Sequence, residues 1–322
     1  MALLDLEKAY DTVWITGLLY KLITLKLPEY LLFVLRSYLE GRTYTVHIND
    51  SQSTTVLPLA GLPQGAVLST TLFTLYIADI PHPHDIQMAL YADDIAILAQ
   101  SWRPDTIAHR INSTMSHLFR YFNKWKLQAN ITKTELILFT KRRPLIPKPL
   151  QCQNAFIPWS SEVKYLGLIL DSKLLFTTHI KSVVHKAMGS FLKIFPLLAR
   201  NSPLTIPTKL LLYKLLLRST ITYAAPVWSS TSPTNYQHLQ IYQSKSLRVI
   251  GNLPRRTPIP NLHAQLQMTP IRRFIHLLTD KFFKRSSTHP NPLLRNTGYY
   301  TIQDLLRQYT KYKHKRVKHI LL

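Results

Sequence analysis

Apolar and polar positions follow two rhythms along this chain, and the change from one to the other divides it. Up to about residue 172, strand-like runs alternate with helical stretches. Ala2-Leu-Leu-Asp-Leu6 reads as a buried strand whose period of two puts Leu3, Asp5 and Glu7 on one face and Ala2, Leu4 and Leu6 on the other. Leu18, Leu19, Leu22 and Leu25 predict a helix, and Leu31, Leu32, Leu35 and Leu39, between Pro28 and Gly41, predict a second. Residues 43–49 and 53–59 alternate as a β-hairpin would. A compact Gly61-Leu-Pro-Gln-Gly65 loop leads into a helix with Leu68, Leu72, Leu75 and Tyr76 on one face. Met88 to Ala99 holds two apolar runs around Asp93 and Asp94, a hairpin with the acid pair at its tip. An amphipathic helix over 105–127 carries Ile107, Ile111, Met115, Leu118 and Phe122. Strands are predicted over 135–140 and 163–171, the latter with Gly167 inside it, where a missing side chain implies close approach of a backbone or ligand. After Leu174 the texture turns helical over 179–198, 208–223 and 236–250.

Charge sharpens this division. The 322-residue chain has a formal charge of +24. Residues 1–100 hold 5 Lys/Arg and 10 Asp/Glu, a net of −5, while 101–322 hold 35 and 6, a net of +29. An acidic front and a basic back imply a polyanion held by the second half, with nucleic acid as the leading partner and a membrane surface as the runner-up. The run from Tyr309 to Lys318 interleaves bases with aromatics, as a base-stacking tail would. Cys152 is the only cysteine, which excludes an internal disulfide and a cysteine-based zinc site. No uncharged apolar run approaches the ~20 residues of a membrane span.

The acid pair invites two readings. Asp is a common turn residue, so Asp93 and Asp94 fit a surface turn. They equally fit a cation site, because adjacent carboxylates repel and burying one unpaired is costly. If the strand of Asp5 lies beside the hairpin, three carboxylates meet, and an all-oxygen set of that kind suits Mg²⁺. Two such ions ~4 Å apart support in-line phosphoryl displacement.

These residues carry a resemblance. Leu4-Asp-Leu-Glu-Lys-Ala-Tyr-Asp-Thr-Val-Trp14, Gly61-Leu-Pro-Gln-Gly-Ala-Val-Leu-Ser69, Tyr91-Ala-Asp-Asp94, Asn130-Ile-Thr-Lys-Thr134 and Lys164-Tyr-Leu-Gly-Leu-Ile-Leu-Asp171 resemble, in order, five motifs of the reverse transcriptases of non-LTR (LINE-type) retrotransposons, most of all the Jockey-like elements. Each motif alone is weak; five in sequence are a strong signal. Tyr223-Ala-Ala-Pro-Val-Trp228, Gln243-Ser-Lys-Ser-Leu-Arg248 and His289-Pro-Asn-Pro-Leu293 are similar to segments further downstream in those elements. Ala66 and Thr70 stand where the family usually has Ser and Pro.

The resemblance implies an α+β fold: a polymerase palm over 1–172, an antiparallel sheet with helices on one face, then a basic, mainly helical thumb and C-terminal region over 173–322. It implies RNA-directed DNA polymerase activity, with Mg²⁺ (or Mn²⁺ in its place), an RNA template, a DNA primer and dNTP, in the nucleus. Carried over by residue, Asp5, Asp93 and Asp94 would be catalytic metal ligands, Asp94 the weakest of the three, and the Leu6 carbonyl would join them. Tyr10 would stack under the sugar, and Gln64 and Gly65 would meet the incoming nucleotide or template. Lys133 would protonate pyrophosphate, and Tyr165 and Gly167 would belong to the primer grip. Asp11 is assigned to structure. The family also has fingers and an endonuclease ahead of its first catalytic strand, so the chain is expected to be a 5′-truncated copy. The reading from another class is a catalytically silent, nucleic-acid-binding remnant.

Overall fold

The structure is a computed structural model and describes residues 1–141, 146–152, 155–295 and 297. The basic tail over 309–318 and part of the Pro-rich run over 141–149 lie outside the described residues. The chain forms two compact units, Met1–Tyr165 and the remainder from Leu166 onward.

The first unit is built on β1 (Ala2–Asp5), whose apolar run is nearly all buried. Helices α1 (Ile15–Thr24) and α2 (Glu29–Leu39) follow, then a small hairpin of β2 (His47–Ile48) and β3 (Ser51–Gln52), and α3 (Val67–Tyr76). The hairpin of β4 (Ile86–Tyr91) and β5 (Asp94–Ala99) precedes the long helix α4 (Pro104–Lys124). Short strands complete the unit: β6 (Glu135–Ile137), β7 (Leu150–Cys152), β8 (Ala155–Ile157), β9 (Trp159–Ser160) and β10 (Glu162–Tyr165). The central sheet runs β4-β5-β1-β6-β9 and is antiparallel except for the parallel β6–β9 pair. Register decides what each face carries, because Leu4 lies opposite Ile95 and Ala2 opposite Ile97, while Asp5 lies opposite Asp94. Ala2, Leu4, Ile95 and Ile97 enter one core with Ile107, Ile111, Met115, Leu118 and Phe122 of α4. The alternate face is left for the carboxylates, and a one-residue slip would exchange the two faces.

The second unit begins with β11 (Leu168–Asp171) and is then helical: α5 (Thr177–Leu198), α6 (Ile206–Leu212), a π-turn over Tyr213–Arg218, α7 (Ser219–Thr222), α8 (Ala225–Trp228), α9 (Pro233–Ile250), α10 (Ile259–Gln265), α11 (Ile271–Ser287) and α12 (Pro292–Arg295). Its core gathers Ala187, Tyr213, Trp228, Leu239, Tyr242 and Ile271. The Tyr242 hydroxyl donates to the Ala187 carbonyl at 3.0 Å, tying α9 to α5. The described residues therefore form an α+β structure, and no described helix is long and apolar enough to cross a membrane.

Several expected elements take a different form. The hairpin over 43–59 keeps only β2, β3 and a bridge from Tyr44 to Val56, because its apolar residues, Ile48 and Leu57 among them, remain exposed and supply no buried face. The strand over 163–171 is two strands, since Leu166 (φ +45°) and Gly167 (φ +80°) form a turn between them. Gly167 therefore serves a left-handed turn rather than a strand interior. The helix over 208–223 is interrupted by the π-turn, where Tyr213 and Leu217 are buried. Of the leucine stripe on α2 only Leu39 is buried.

Candidate active site

Three backbone devices converge on Asp5. The β4–β5 hairpin pairs Tyr91 with Asp94, leaving Ala92 and Asp93 as a two-residue turn. Ala92 takes φ +51°, a region that costs a residue with a Cβ ~1–2 kcal/mol. Asp93 is thus at the tip and Asp94 at the first strand position, with Asp5 opposite it. The second device is a hydrogen bond of 3.3 Å from the Leu6 amide to the Asp93 carbonyl, which fastens the tip to the end of β1. The third lies across β1, where the Asn130 amide donates to the Asp5 carbonyl at 2.8 Å.

Asn130 opens a single 3₁₀ turn over Ile131–Lys133. Its side-chain oxygen accepts from the Lys133 amide at 3.2 Å and from the Thr132 hydroxyl at 2.6 Å. The turn points Lys133 back at β1, where its Nζ lies 3.0 Å from Asp5 Oδ2. The hydrogen bond to Asp5 and its charge raise the Lys133 pKa, so the amine is protonated at neutral pH. Asp94 is held above its ordinary range by partial burial and then by the charges of Asp93 and Asp5. Tyr10 is raised by desolvation and by Asp93, and Tyr165 by desolvation and by Asp94.

A cleft of about 380 Å³ opens here, lined among others by Asp5, Leu6, Tyr10, Gln64, Asp93 and Lys133. Tyr10 stacks on Phe73 with ring centroids 4.9 Å apart. Gln64 Nε2 donates to Asp11 Oδ1 at 2.7 Å, so in this state its amide braces the loop. Gly61 (φ +95°) lets that loop cross Asp11, since a Cβ there would meet the Asp11 carbonyl oxygen at 2.8 Å. Gly65 (φ +82°) faces open space beside Tyr10. Tyr165 belongs with Asp5, Asp94 and Lys133 around a second, smaller cavity of about 60 Å³. Gly167 falls in the second unit, where a Cβ would lie 3.2 Å from the Tyr223 ring.

The carboxylates suit a hard divalent cation in kind: all are oxygen donors, and Asp94 is raised by its two acidic neighbours. Among the described residues no group of three or more His, Cys, Asp or Glu side chains is drawn together tightly enough to hold a metal. Lys133 places a positive charge against Asp5. His82, His84 and Asp85 form no such group either, and Asp85 pairs with Arg110 at 3.2 Å.

Residues 1–170, just over half of the chain, match the family model described as "Reverse transcriptase (RNA-dependent DNA polymerase)". The chain belongs to the reverse transcriptase family. Similar curated proteins include the "RNA-directed DNA polymerase from mobile element jockey" of Drosophila funebris, 30% identical over 303 residues, or 92% of this chain and 33% of that protein. The "Probable RNA-directed DNA polymerase from transposon BS" of Drosophila melanogaster is also 30% identical, over 91% of this chain and 33% of its own length. The "Probable RNA-directed DNA polymerase from transposon X-element" of the same fly is 29% identical over 90% and 32%. The chain spans about a third of the length of these relatives.

Within this reverse transcriptase unit, one position beyond the sequence-predicted set stands out. Asn130 holds the Asp5 carbonyl and the Lys133 turn together. Its signal was present in the Asn-x-x-Lys spacing, because Asn is a strong N-cap residue and caps the amide three positions on.

Proposed function

We propose that residues 1–172 are the catalytic palm of an RNA-directed DNA polymerase of a non-LTR retrotransposon, and that residues 173–322 are its basic thumb and C-terminal region. The polymerase acts in the nucleus on an RNA template, a DNA primer and dNTP. The observation that carries this is the register placing Asp5 opposite Asp94, with Asp93 at the adjoining tip and Lys133 3.0 Å from Asp5.

In the reaction the primer 3′-hydroxyl releases its proton to solvent, its oxygen forms a bond to the α-phosphorus of the dNTP, the bond from that phosphorus to the β-phosphate oxygen breaks, and pyrophosphate leaves. Asp5, Asp93 and Asp94 would hold Mg²⁺, or Mn²⁺ in its place, with the Leu6 carbonyl beside them, once Asp5 releases Lys133 and the three carboxylates draw closer than they stand here. When bound, that ion supplies charge neutralisation to the triphosphate and acidity to the 3′-hydroxyl. Lys133, protonated and exposed, hands its proton to the departing pyrophosphate once its carboxylate partner is otherwise engaged. Tyr10, braced by Phe73, offers a flat floor to the deoxyribose and crowds a 2′-hydroxyl. Gln64 exchanges Asp11 for nucleotide or template beside Gly65. Tyr165, beside Asp5 and Asp94, steadies the primer end.

Primer extension on a primed RNA template, with dNTP and Mg²⁺, tests this reading. The expected result is product that requires the divalent ion and disappears in Asp93→Ala. Salt-sensitive binding of nucleic acid with no product from the unaltered chain would instead establish a silent binding remnant.

A further inference from the structure

We propose that the second unit carries a docking groove for an acidic, amphipathic helix of a protein partner. The groove encloses about 720 Å³ between the end of α5, the second half of α9 and the segment entering α10. Its apolar wall includes Phe195, Ile241 and Ile259, each between 41% and 46% exposed. Exposed apolar side chains gathered in one concave patch mark a binding surface. Around them stand Arg200, Lys245, Arg248 and Arg255, and no acidic residue lines the groove.

The cations are unmatched from within. Between Asp171 and Asp280 the sequence has no Asp or Glu. No ion pair occurs among the described residues of the second unit; those found lie in the first. Arg248 is partly committed, since one Nη donates to the Thr257 carbonyl at 2.9 Å, while its Nε is buried without a partner. Carboxylates along the flanks of a docked helix would complete these groups and set its orientation.

The groove is also built before any partner arrives. His263 donates from Nδ1 to the Met268 carbonyl at 2.7 Å, leaving Nε2 to accept from Gln240 Nε2 at 2.9 Å. Gln240 also donates to the buried Ser244 hydroxyl at 3.1 Å, so α9 and α10 are locked together at the groove wall. Preformed walls reduce the ordering cost of binding. The aliphatic character selects the occupant. Sites for single-stranded nucleic acid rely on aromatic platforms, and Phe195 is the one aromatic among these lining residues. Helix-in-groove recognition instead needs aliphatic pockets for anchors at i, i+3 or i+4 and i+7. This inference does not rest on the polymerase reading, because none of its residues belongs to the Asp5 cleft.

The test uses the full chain and a fluorescein-labelled, end-capped peptide of roughly 15 residues, long enough for about four helical turns. It carries Leu at i, i+4 and i+7 and Glu on both flanks; a scrambled peptide of equal composition and a single-stranded oligo-dT are the comparators. Anisotropy titration at near-physiological salt should show the patterned peptide binding at least about tenfold more tightly than the scrambled one. Ile241→Asp and, independently, Lys245→Glu should each weaken it by about tenfold, with unchanged thermal midpoints, while Asp93→Asn binds as the unaltered chain does. Both substituted positions are exposed, and a variant counts only where its thermal midpoint matches that of the unaltered chain. Equal binding of patterned and scrambled peptides overturns the proposal, as does no binding of the patterned peptide up to millimolar concentration. Displacement of the peptide by oligo-dT, with both variants losing oligo-dT affinity in parallel, assigns the groove to nucleic acid and overturns it too.

Discussion

Asp5 and Asp94 face each other across two antiparallel strands, and Asp94 is held above its ordinary carboxylate range by burial and then by Asp93 and Asp5. The fold therefore spends stability to keep charge in one place, as strained polar sites commonly do. Asp94→Asn removes a like charge without changing shape. It should raise stability at neutral pH by up to about 1 kcal/mol, since solvent screens the repulsion at this partly exposed group. The sign with pH follows from proton uptake on folding. A carboxyl whose folded pKa is raised favours the folded state below its unfolded pKa, and that contribution is lost as pH rises through the folded value. Thermal midpoints of Asp94→Asn and the unaltered chain should thus converge in acid and separate toward neutral pH. A constant gap across pH would remove the electrostatic explanation.

Asn130 is the hinge between the Asp5 backbone and the Lys133 side chain. Asn130→Ala deletes the cap of the 3₁₀ turn, which costs ~1 kcal/mol, and frees Lys133 from its direction. If the turn positions the amine, Asn130→Asp should restore most of the stability, because aspartate caps as well as asparagine. Lys133→Met should leave stability nearly untouched, since the amine is exposed and surface pairs contribute little. Urea unfolding of the three variants separates cap from charge, and equal losses in all three would refute the division of labour.

Much of the first unit was legible from pattern alone. The amphipathic stripe of α4 and the alternate faces of β1 follow from apolar periodicity, and the structure keeps both. Where pattern misled, a tertiary partner was missing or a backbone angle intervened. The residues over 43–59 alternate like a hairpin yet meet no core, so only a fragment pairs. Gly167 was visible as unusual, but only the positive φ at Leu166 and Gly167 reveals a turn. In the site, Asp5, Asp93 and Asp94 stand out in the sequence as residue types, whereas the register that sets Asp5 opposite Asp94 is a long-range property that no local rhythm encodes. Gln64 was legible as a loop residue, but its bond to Asp11 joins positions 53 residues apart. The groove beside α9 lay beyond sequence for the same reason: its walls come from segments distant along the chain.

Lys21 is a buried cation with a complete set of partners. Its Nζ donates to the Tyr76 carbonyl and to Asp79 Oδ1, each at 2.5 Å, and to the Tyr121 hydroxyl at 2.7 Å. It also lies 3.8 Å from the centre of the Trp125 ring. Desolvation lowers its pKa while Asp79 opposes the fall, and Asp79 in turn is held low because Lys21 and Tyr121 outweigh its own partial burial. Lys21→Ala should cost roughly 2–4 kcal/mol, because it empties the space and leaves buried acceptors unsatisfied. Lys21→Met keeps the volume and should cost about half as much. Tryptophan fluorescence during urea unfolding reads both, and Trp125 reports directly on the site. A loss under 1 kcal/mol for the alanine variant would mean that water replaces the ammonium freely.

Gly167 and Tyr223 make a second long-range pair, inside the second unit. Tyr223 donates its hydroxyl to the Leu166 carbonyl at 3.1 Å, and its ring lies where a Cβ on Gly167 would stand, at 3.2 Å. Gly167→Ala therefore meets two penalties: a left-handed backbone, costing ~1–2 kcal/mol, and a contact the ring must yield to. Tyr223→Ala removes the second penalty while losing the hydrogen bond. The double variant should then be more stable than the sum of the two single losses predicts, by roughly 0.5–1 kcal/mol. Tyr223→Phe keeps the ring and should show no such relief. Denaturation midpoints for the full cycle provide the measurement. Strict additivity in the Tyr223→Ala cycle would leave the left-handed backbone as the whole reason for glycine at this turn.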